Sequence, residues 1–484
     1  MVIAKSQADT TRKWYDYSVV TSPYEGSKFL RQYVERFSTV SFFNEYAGLL
    51  SYYYILAASL APYVRIPIHG AFIDCRLHVF WIQSARSGKS IAYEFMAKIL
   101  KLVGIDTEKF SAGSDAKMIG TTQEIRVTDP KTGKPTGAVE YEIVPGLLNG
   151  YKTLLFDEAS VLLNDKKAYF SDKILFLQQA MAPIGSETNV LVNHLKGASV
   201  HTPSGVSLWA TTYPPKDIMT HVLDKGFFQR VYLFQNDIST ETRQTTSEHR
   251  VSGAYKPVPE RMWSYENIAD EIKSIRDEVK GRLLGAAGLT SEEYETLSDE
   301  EKETLSQVHA YEIFNPGPNY HVALLSAVDD YYSLVYGIQD DNIRETAIGF
   351  LPNIENYTMI FGNLIAATMR STVVTSEHIQ MASEMIYDNL HNLIIWLEQK
   401  QDLKVGKKRQ ADIRAWREAY GKCKRIVHER TQREVVRKSD LEKAYSTING
   451  VSTKTARRRL DDMMKAKLAV RVAEGKNAFI SLEL

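Results

Sequence analysis

The residues best suited to chemistry lie at 83–90, QSARSGKS. The preceding run LHVFWI at 77–82 predicts a buried strand, and 91–103 has helical apolar spacing without proline. In a strand–loop–helix unit, backbone N–H groups and a lysine can bind phosphates. We therefore expect a phosphate-binding loop made of Gln83, Ser84, Ala85, Arg86, Ser87, Gly88, Lys89 and Ser90.

The match to the phosphate-loop pattern G-x-x-x-x-G-K-[ST] is incomplete. Gly88, Lys89 and Ser90 agree with it, but Gln83 occupies the place of the first glycine. Lys89 would contact the β and γ phosphates of ATP, and the Ser90 hydroxyl would coordinate Mg²⁺. The alternative is a chance Gly-Lys-Ser at the start of a helix.

Two adjacent carboxylates follow a second apolar strand, YKTLLFDE at 151–158. Asp157 lies 68 residues beyond Lys89. We expect Asp157 to bind the Mg²⁺ shell and Glu158 to orient and activate the attacking water. The alternative is an ordinary strand that ends in solvated acids.

Two further polar positions adjoin predicted strands. Residues 206–214 form an apolar strand that ends in Thr211 and Thr212, of which Thr212 is the first candidate to contact nucleotide. Arg230 lies on a predicted strand within GFFQRVYLF at 226–234, where a charge needs a partner. It could stabilise phosphoryl transfer in a neighbouring subunit, or form a local salt bridge.

Two predicted hairpins carry lysines at their turns. The first spans 122–144 with the turn DPKTGKP, which places Lys131 and Lys134 at its tip. The second spans 189–208 and has Lys196 at a Lys-Gly bend. Such lysines can bind DNA phosphates without reading sequence, although a single solvated turn would look the same.

The bulk composition indicates a soluble protein of two to four domains. The net charge is zero, but residues 404–484 carry +12 and the remainder −12, which predicts an anionic partner for the last segment. Two distant cysteines and the absence of a signal peptide favour a reducing cytoplasm. Residues 46–64 are uncharged and long enough for a membrane span, but their tyrosines and Pro62 favour a buried helix.

The predicted fold class is α/β, with four segments. These are a helical N-terminal region at 1–70, a nucleotide-binding core at 71–236, a linker and helical lid at 237–403, and a basic winged helix at 404–484. In the last segment, the second helix at 452–467 carries a cluster that could contact DNA phosphates. The alternative is a protein-interaction module with a solvated basic face. The candidate DNA contacts are Lys454, Arg457 and Arg458.

The order of these motifs resembles the helix-2-insert branch of the AAA+ ATPases, above all the minichromosome-maintenance (MCM) replicative helicases and their phage or plasmid relatives. The resemblance covers about 77–236, a third of the chain. It implies a hexameric ring that hydrolyses ATP at subunit interfaces while lysine-tipped hairpins track DNA through a pore. It also implies that Thr212 contacts the γ-phosphate and that Arg230 acts on the neighbour's nucleotide.

The sequence departs from the family in several places. Gln83 replaces a glycine, Tyr213 stands where the family has asparagine, and no sensor-2 arginine occurs near residues 353–356, with Arg344 and Arg370 as weak substitutes. The zinc-containing N-terminal DNA-binding domain of the family is absent. We thus expect an ATP-dependent DNA helicase or translocase. The alternatives are an ATP-switched replication initiator or loader that binds DNA through the winged helix, and an ATPase that remodels proteins.

Overall fold

The computed structural model describes residues 27–38, 45–83, 88–109, 118–128, 135–159, 171–195, 198–213, 226–236, 244, 248, 263–427, 434–465, 469–472 and 478–482. The chain divides into two compact units, residues 1–395 and 396–484.

A parallel sheet of five strands organises the first unit, in the order β11-β3-β10-β7-β4. The three central strands are buried throughout, as expected for a parallel sheet covered on both faces, whereas the edge strand at 107–109, Thr-Glu-Lys, is polar and not buried. The predicted α/β class is therefore confirmed. The strands are β3 (Val79–Gln83), β4 (Thr107–Lys109), β7 (Thr153–Phe156), β10 (Ser207–Thr212) and β11 (Tyr232–Asn236).

Helices surround this sheet and form the region that follows it. Those of the first unit are α1 (Lys28–Ser38), α2 (Glu45–Leu60), α3 (Lys89–Val103), α4 (Ser171–Ala180), α5 (Tyr265–Ala287), α6 (Ser291–Thr296), α7 (Asp299–Val308), α8 (Ala310–Ile313), α9 (Tyr320–Tyr336), α10 (Asp341–Ile348) and α11 (Leu351–Thr368). Two small strand pairs accompany them, β1 (Arg65–Ile68) with β2 (Ala71–Asp74) and β12 (Asn315–Pro316) with β13 (Val373–Val374).

Helix α2 is the uncharged stretch that the sequence placed inside the protein. It is buried on all sides, and the Tyr54 ring packs edge-on against Trp209 of β10 with 5.2 Å between centroids. The Tyr52 hydroxyl is 2.9 Å from that of Thr368 in α11. In the part of the chain that the structure describes, no helix is long and apolar enough to cross a membrane.

Both predicted hairpins are present. The first pairs β5 (Gly120–Thr128) with β6 (Pro135–Pro145), and the second pairs β8 (Val190–Leu195) with β9 (Ala198–Pro203). The two hairpins contact each other. Their tips, with Lys131, Lys134 and Lys196, lie outside the described residues.

A buried arginine fastens the second hairpin to the sheet. Arg76 forms an ion pair with Asp74, with 2.7 Å between Nε and Oδ1. Burial alone would raise the pKa of Asp74, but the charge of Arg76 lowers it below its usual range. The remaining guanidinium N–H groups donate to backbone carbonyls at the base of the hairpin, those of Ala180, Ala182, Ser204 and Val206.

The second unit contains two helices and a small antiparallel sheet. Helix α13 (Lys438–Asn449) ends at Gly450, whose left-handed backbone (φ 61°) turns the chain toward α14 (Thr453–Lys465). The Trp416 and Tyr445 rings stack at 3.8 Å within the core of this unit. Its sheet has the order β14-β15-β17-β16, formed by Ile426–Val427, Glu434–Arg437, Phe479–Leu482 and Ala469–Arg471.

Helix α12 (Ser376–Lys422) is continuous over 47 residues. One local prediction is wrong. Arg230 does not lie on a strand, because Phe228–Arg230 is a short 3-10 helix and β11 begins at Tyr232. The cause is that adjacent Phe227 and Phe228 are both buried and both pack on Phe80, which an alternating strand would not allow.

Candidate functional site

The candidate site forms where three neighbouring parallel strands end. In the register of the sheet, Thr212 is opposite Ile82 of β3, and Ala210 is opposite Phe156 of β7. Continuing that register places Tyr213 beside Gln83 and places Thr211 and Thr212 beside Asp157 and Glu158. Ligands of open α/β sheets bind at this edge, where the carboxyl ends of the strands meet.

The phosphate-loop prediction is partly visible. Gly88 has a left-handed backbone (φ 82°, ψ 8°) and directly precedes α3, a helix of 15 residues. Among the described residues, neither a capping side chain nor an acidic group occupies the first turn of α3. Ser90 is exposed there. This helix N-terminus is thus open to an anion, while Ser84, Ala85, Arg86 and Ser87 lie outside the described residues.

Gln83 has a simple structural role at the position where the pattern has glycine. It is the last residue of β3, is fully buried, and pairs with Asn236 of β11. Its backbone does not have a positive φ, whereas that of Gly88 does. Gln83 therefore continues the strand and does not need the conformational freedom of a glycine.

Lys89 is held between a carbonyl and an aromatic ring. Its Nζ donates to the Gln83 carbonyl oxygen at 2.6 Å and lies 4.5 Å from the centre of the Tyr213 ring. Burial lowers the pKa of Lys89 to about 8, and the charges of Glu158 and Asp157 oppose that shift. Sequence reasoning flagged Tyr213 only as a departure from the family and missed its contact with Lys89.

The two acids and the two threonines are paired across β7 and β10. The Thr212 hydroxyl donates to Oε1 of Glu158 at 2.9 Å. The Thr211 hydroxyl donates instead to the backbone carbonyl of Asp157. Both carboxylates are exposed to solvent. Thr212, the first candidate, is thus the threonine whose side chain reaches an acid of the site.

Arg230 lies beside the amino ends of the strands, at the opposite end of the same sheet from the candidate site. The Tyr232 N–H, two residues further along, donates to the His78 carbonyl at 2.6 Å, just before β3 begins. The length of β3, about 16 Å, therefore separates Arg230 from the end that carries the phosphate loop.

A cavity of about 190 Å³ lies beside Arg230. Among the residues that the structure describes, Arg230 has no carboxylate partner, and its guanidinium donates only to the Gly226 carbonyl at 3.3 Å. Burial lowers the pKa of Arg230. Burial likewise lowers the pKa of His78 to about 3, so that this imidazole is neutral. The cavity is lined by, among others, Arg76, His78, Arg230, Asn353, Asn356 and Tyr357.

The two substitutes considered for a sensor-2 arginine are held elsewhere. Arg370 forms ion pairs with Glu271 at 2.7 Å and with Glu278 at 3.0 Å. Arg344 pairs with Asp341 in its own helix. The matching region, in contrast, contributes Asn356 to the cavity that contains Arg230. An amide thus occupies the place where the family resemblance implies a guanidinium.

The candidate DNA-binding residues of the second unit share one face of α14. Lys454, Arg457 and Arg458 are exposed, while Ala456 and Leu460 are buried on the other face. The Arg457 guanidinium lies 3.4 Å from the carboxylate of Glu442. This helix therefore presents three cations to solvent.

The residues of the first unit fit magnesium–ATP in kind. The open N-terminus of α3 and Lys89 can bind the phosphates, while the Ser90 hydroxyl and the Asp157 carboxylate are hard oxygen ligands of the type that Mg²⁺ prefers. The Glu158 carboxylate accepts a hydrogen bond from Thr212 and is exposed to solvent. No protein-family model matches this sequence, and no curated protein is significantly similar to it.

We expect the protein to take up a proton when it binds nucleotide at alkaline pH. Lys89 is charged below its pKa of about 8, and phosphate oxygens favour the charged form, so affinity should fall as pH rises through 8. The fall should approach about tenfold per pH unit until the pKa of the bound lysine is reached. Titration calorimetry in two buffers of different ionisation enthalpy would detect uptake at pH 9 but not at pH 7.

A Lys101→Ala variant is the control, because Lys101 is an exposed lysine on the same helix. If proton uptake persists in Lys101→Ala and disappears in Lys89→Ala, the proton is assigned to Lys89. Equal affinity at both pH values would contradict the prediction.

The effect of pH on the free energy of unfolding has the opposite sign. An unfolded Lys89 keeps its proton up to its ordinary pKa of 10.5, so the contribution of Lys89 to stability rises between pH 8 and 10.5.

Proposed function

We propose that this chain is a subunit of an ATP-driven, ring-forming DNA helicase or translocase that acts in DNA replication in a cytoplasm. The observation that carries the proposal is that the end of β10 contacts two predicted groups of the site. Thr212 donates to Glu158, and the Tyr213 ring centre lies 4.5 Å from the Nζ of Lys89. The order of the motifs along the chain, which resembles the MCM-like AAA+ ATPases, supports it.

Different residues of this chain carry out different steps of ATP hydrolysis. Lys89 and the backbone N–H groups of α3 bind the β and γ phosphates of ATP. Mg²⁺, held by Ser90 and Asp157, supplies charge neutralisation when it is bound. Glu158 accepts a proton from the attacking water, and Thr212 orients the Glu158 carboxylate through their 2.9 Å hydrogen bond.

The position of Arg230 supports a ring. A cation that lacks a carboxylate partner in the described residues, at the edge of the sheet far from its own phosphate loop, suits a nucleotide bound by a neighbouring subunit. The oligomer we propose is a hexamer, as in the family that the sequence resembles. Each interface would then contain the phosphate loop of one subunit and Arg230 of the next.

DNA would contact the hairpins and the last helix. The two adjoining hairpins, with Lys131, Lys134 and Lys196 at their turns, would line the pore and bind phosphates. The exposed face of α14, with Lys454, Arg457 and Arg458, would contact a duplex in the manner of a winged helix. These exposed cations also favour the second candidate function, a replication initiator or loader that uses ATP as a switch.

Strand displacement on a forked DNA distinguishes the two functions. For a motor we expect ATP hydrolysis to be stimulated by single-stranded DNA and the fork to be unwound, with both activities lost in Lys89→Ala. For an initiator we expect slow hydrolysis and tight, sequence-dependent duplex binding that a Lys454→Ala, Arg457→Ala, Arg458→Ala triple variant abolishes. Nucleotide hydrolysis that no DNA affects would contradict both.

A further inference from the structure

Tyr213 covers the ammonium group of Lys89. The ring centre is 4.5 Å from Nζ, and half of the tyrosine surface is exposed to solvent. The same Nζ donates to the Gln83 carbonyl oxygen at 2.6 Å. The register of β10 and β3 produces this contact, because Tyr213 follows Thr212, which pairs with Ile82 next to Gln83.

A ring and a phosphate compete for this cation. The face of an aromatic ring attracts an ammonium group through its quadrupole, and the contact is favourable by about 0.5–1 kcal/mol at exposed sites. The Lys89 ammonium contacts both the Tyr213 ring and the Gln83 carbonyl, and these contacts hold it at the end of β3. A phosphate at the N-terminus of α3 attracts the same ammonium, so it competes with the ring for that group.

The adjacent residue connects this contact to the second charged group of the site. Thr212 donates to Glu158, and Tyr213 immediately follows it at the end of β10. Two successive residues of one strand thereby contact the lysine that binds phosphate and the acid that activates water.

We propose that Tyr213 is a positioning residue, an aromatic cap that holds Lys89 at the end of β3 and that the phosphates of a nucleoside triphosphate displace on binding. The inference rests on the proposed nucleotide site and adds to it a residue that opposes binding. Displacement of the ring frees the Lys89 ammonium to contact the β and γ phosphates. The affected ligands are those with β and γ phosphates.

The test measures the affinity of a fluorescent ATP analogue for the full chain. Tyr213→Ala should bind it about two- to fivefold more tightly than the unmodified protein, which is the fold-change that the cation–ring contact corresponds to. Tyr213→Phe keeps the ring and should bind like the unmodified protein. A fluorescent AMP analogue, which lacks β and γ phosphates, should bind both variants equally.

The contrast between Tyr213→Ala and Tyr213→Phe, and between the ATP and AMP analogues, is a readout that a merely structural role would not produce. Tyr311→Ala, a change of another exposed tyrosine, is the matched control and should leave the affinity for both analogues unchanged. Circular dichroism melts establish that each variant is folded.

The outcomes distinguish a failure of the Tyr213 cap from a failure of the proposed nucleotide site. If the unmodified protein and Lys89→Ala bind the analogue equally, the nucleotide site itself is wrong. If Lys89→Ala loses binding but Tyr213→Ala binds as the unmodified protein does, or more weakly, the cap is overturned while the site stands. A loss of affinity in Tyr213→Phe would assign the effect to the hydroxyl and would also overturn the cap.

Discussion

Replacing Glu158 with glutamine is expected to lower ATP turnover by about 10²–10⁴-fold, the usual contribution of a positioned general base. Glutamine keeps the shape of the side chain and can still accept the hydrogen bond from Thr212 through its amide oxygen. It cannot take a proton from water at neutral pH. Single-turnover hydrolysis and the equilibrium binding of an ATP analogue, measured on the same preparation, should show lost chemistry with retained binding.

Two controls make the Glu158 result specific. Glu187→Gln alters an exposed acid in a different part of the first unit and should leave turnover unchanged. Thr212→Ala removes only the donor that orients the carboxylate, so its loss should be smaller than that of Glu158→Gln. Normal turnover in Glu158→Gln would show that another group activates the water.

An Arg230→Ala substitution should reduce turnover still further, by about 10³–10⁵-fold, because an arginine that contacts the transferring phosphoryl group stabilises its charge. The effect should appear only in the assembled protein. ATP analogue binding should persist, since Arg230 is at the edge of the sheet far from Lys89 of its own chain. Arg344→Ala is the control, because Arg344 pairs locally with Asp341.

Mixing variants tests whether Arg230 acts on the neighbour. Subunits with Arg230→Ala keep a complete phosphate loop, and subunits with Lys89→Ala keep the arginine. Either preparation alone should be inactive, whereas a mixture should regain part of the activity at interfaces that join the two intact halves. Failure of the mixture, with subunit exchange shown by a labelled protein, would place Arg230 outside the chemistry.

The elements could be predicted because their signals are local. The apolar strands, the Asp-Pro-Lys-Thr-Gly turn of the first hairpin and the helix after Gly88 each depend on a few neighbouring residues. The same strand pattern fixed which acids and threonines come at strand ends. The predicted residues Lys89, Asp157, Glu158 and Thr212 consequently meet in space.

Other features depend on tertiary packing and had no local signal. The strand order places β10 between β3 and β7, which motif order alone does not determine. In the sequence nothing distinguishes Arg76 from other charged residues, yet its guanidinium donates to carbonyls more than a hundred residues away. Arg230 precedes its strand because two adjacent phenylalanines are both buried, a departure from alternation that the core decides.

Strand β10 connects two regions whose proposed ligands differ. At one end Thr212 and Tyr213 contact Glu158 and Lys89. At the other end, about 20 Å away, the chain passes from β9 into β10 through Ser204 and Val206, whose carbonyls accept hydrogen bonds from Arg76. Strand β10 is therefore the covalent connection between the two regions. If β8 and β9 bind DNA, coupling between the two sites is reciprocal: DNA must change nucleotide affinity by the same factor by which nucleotide changes DNA affinity.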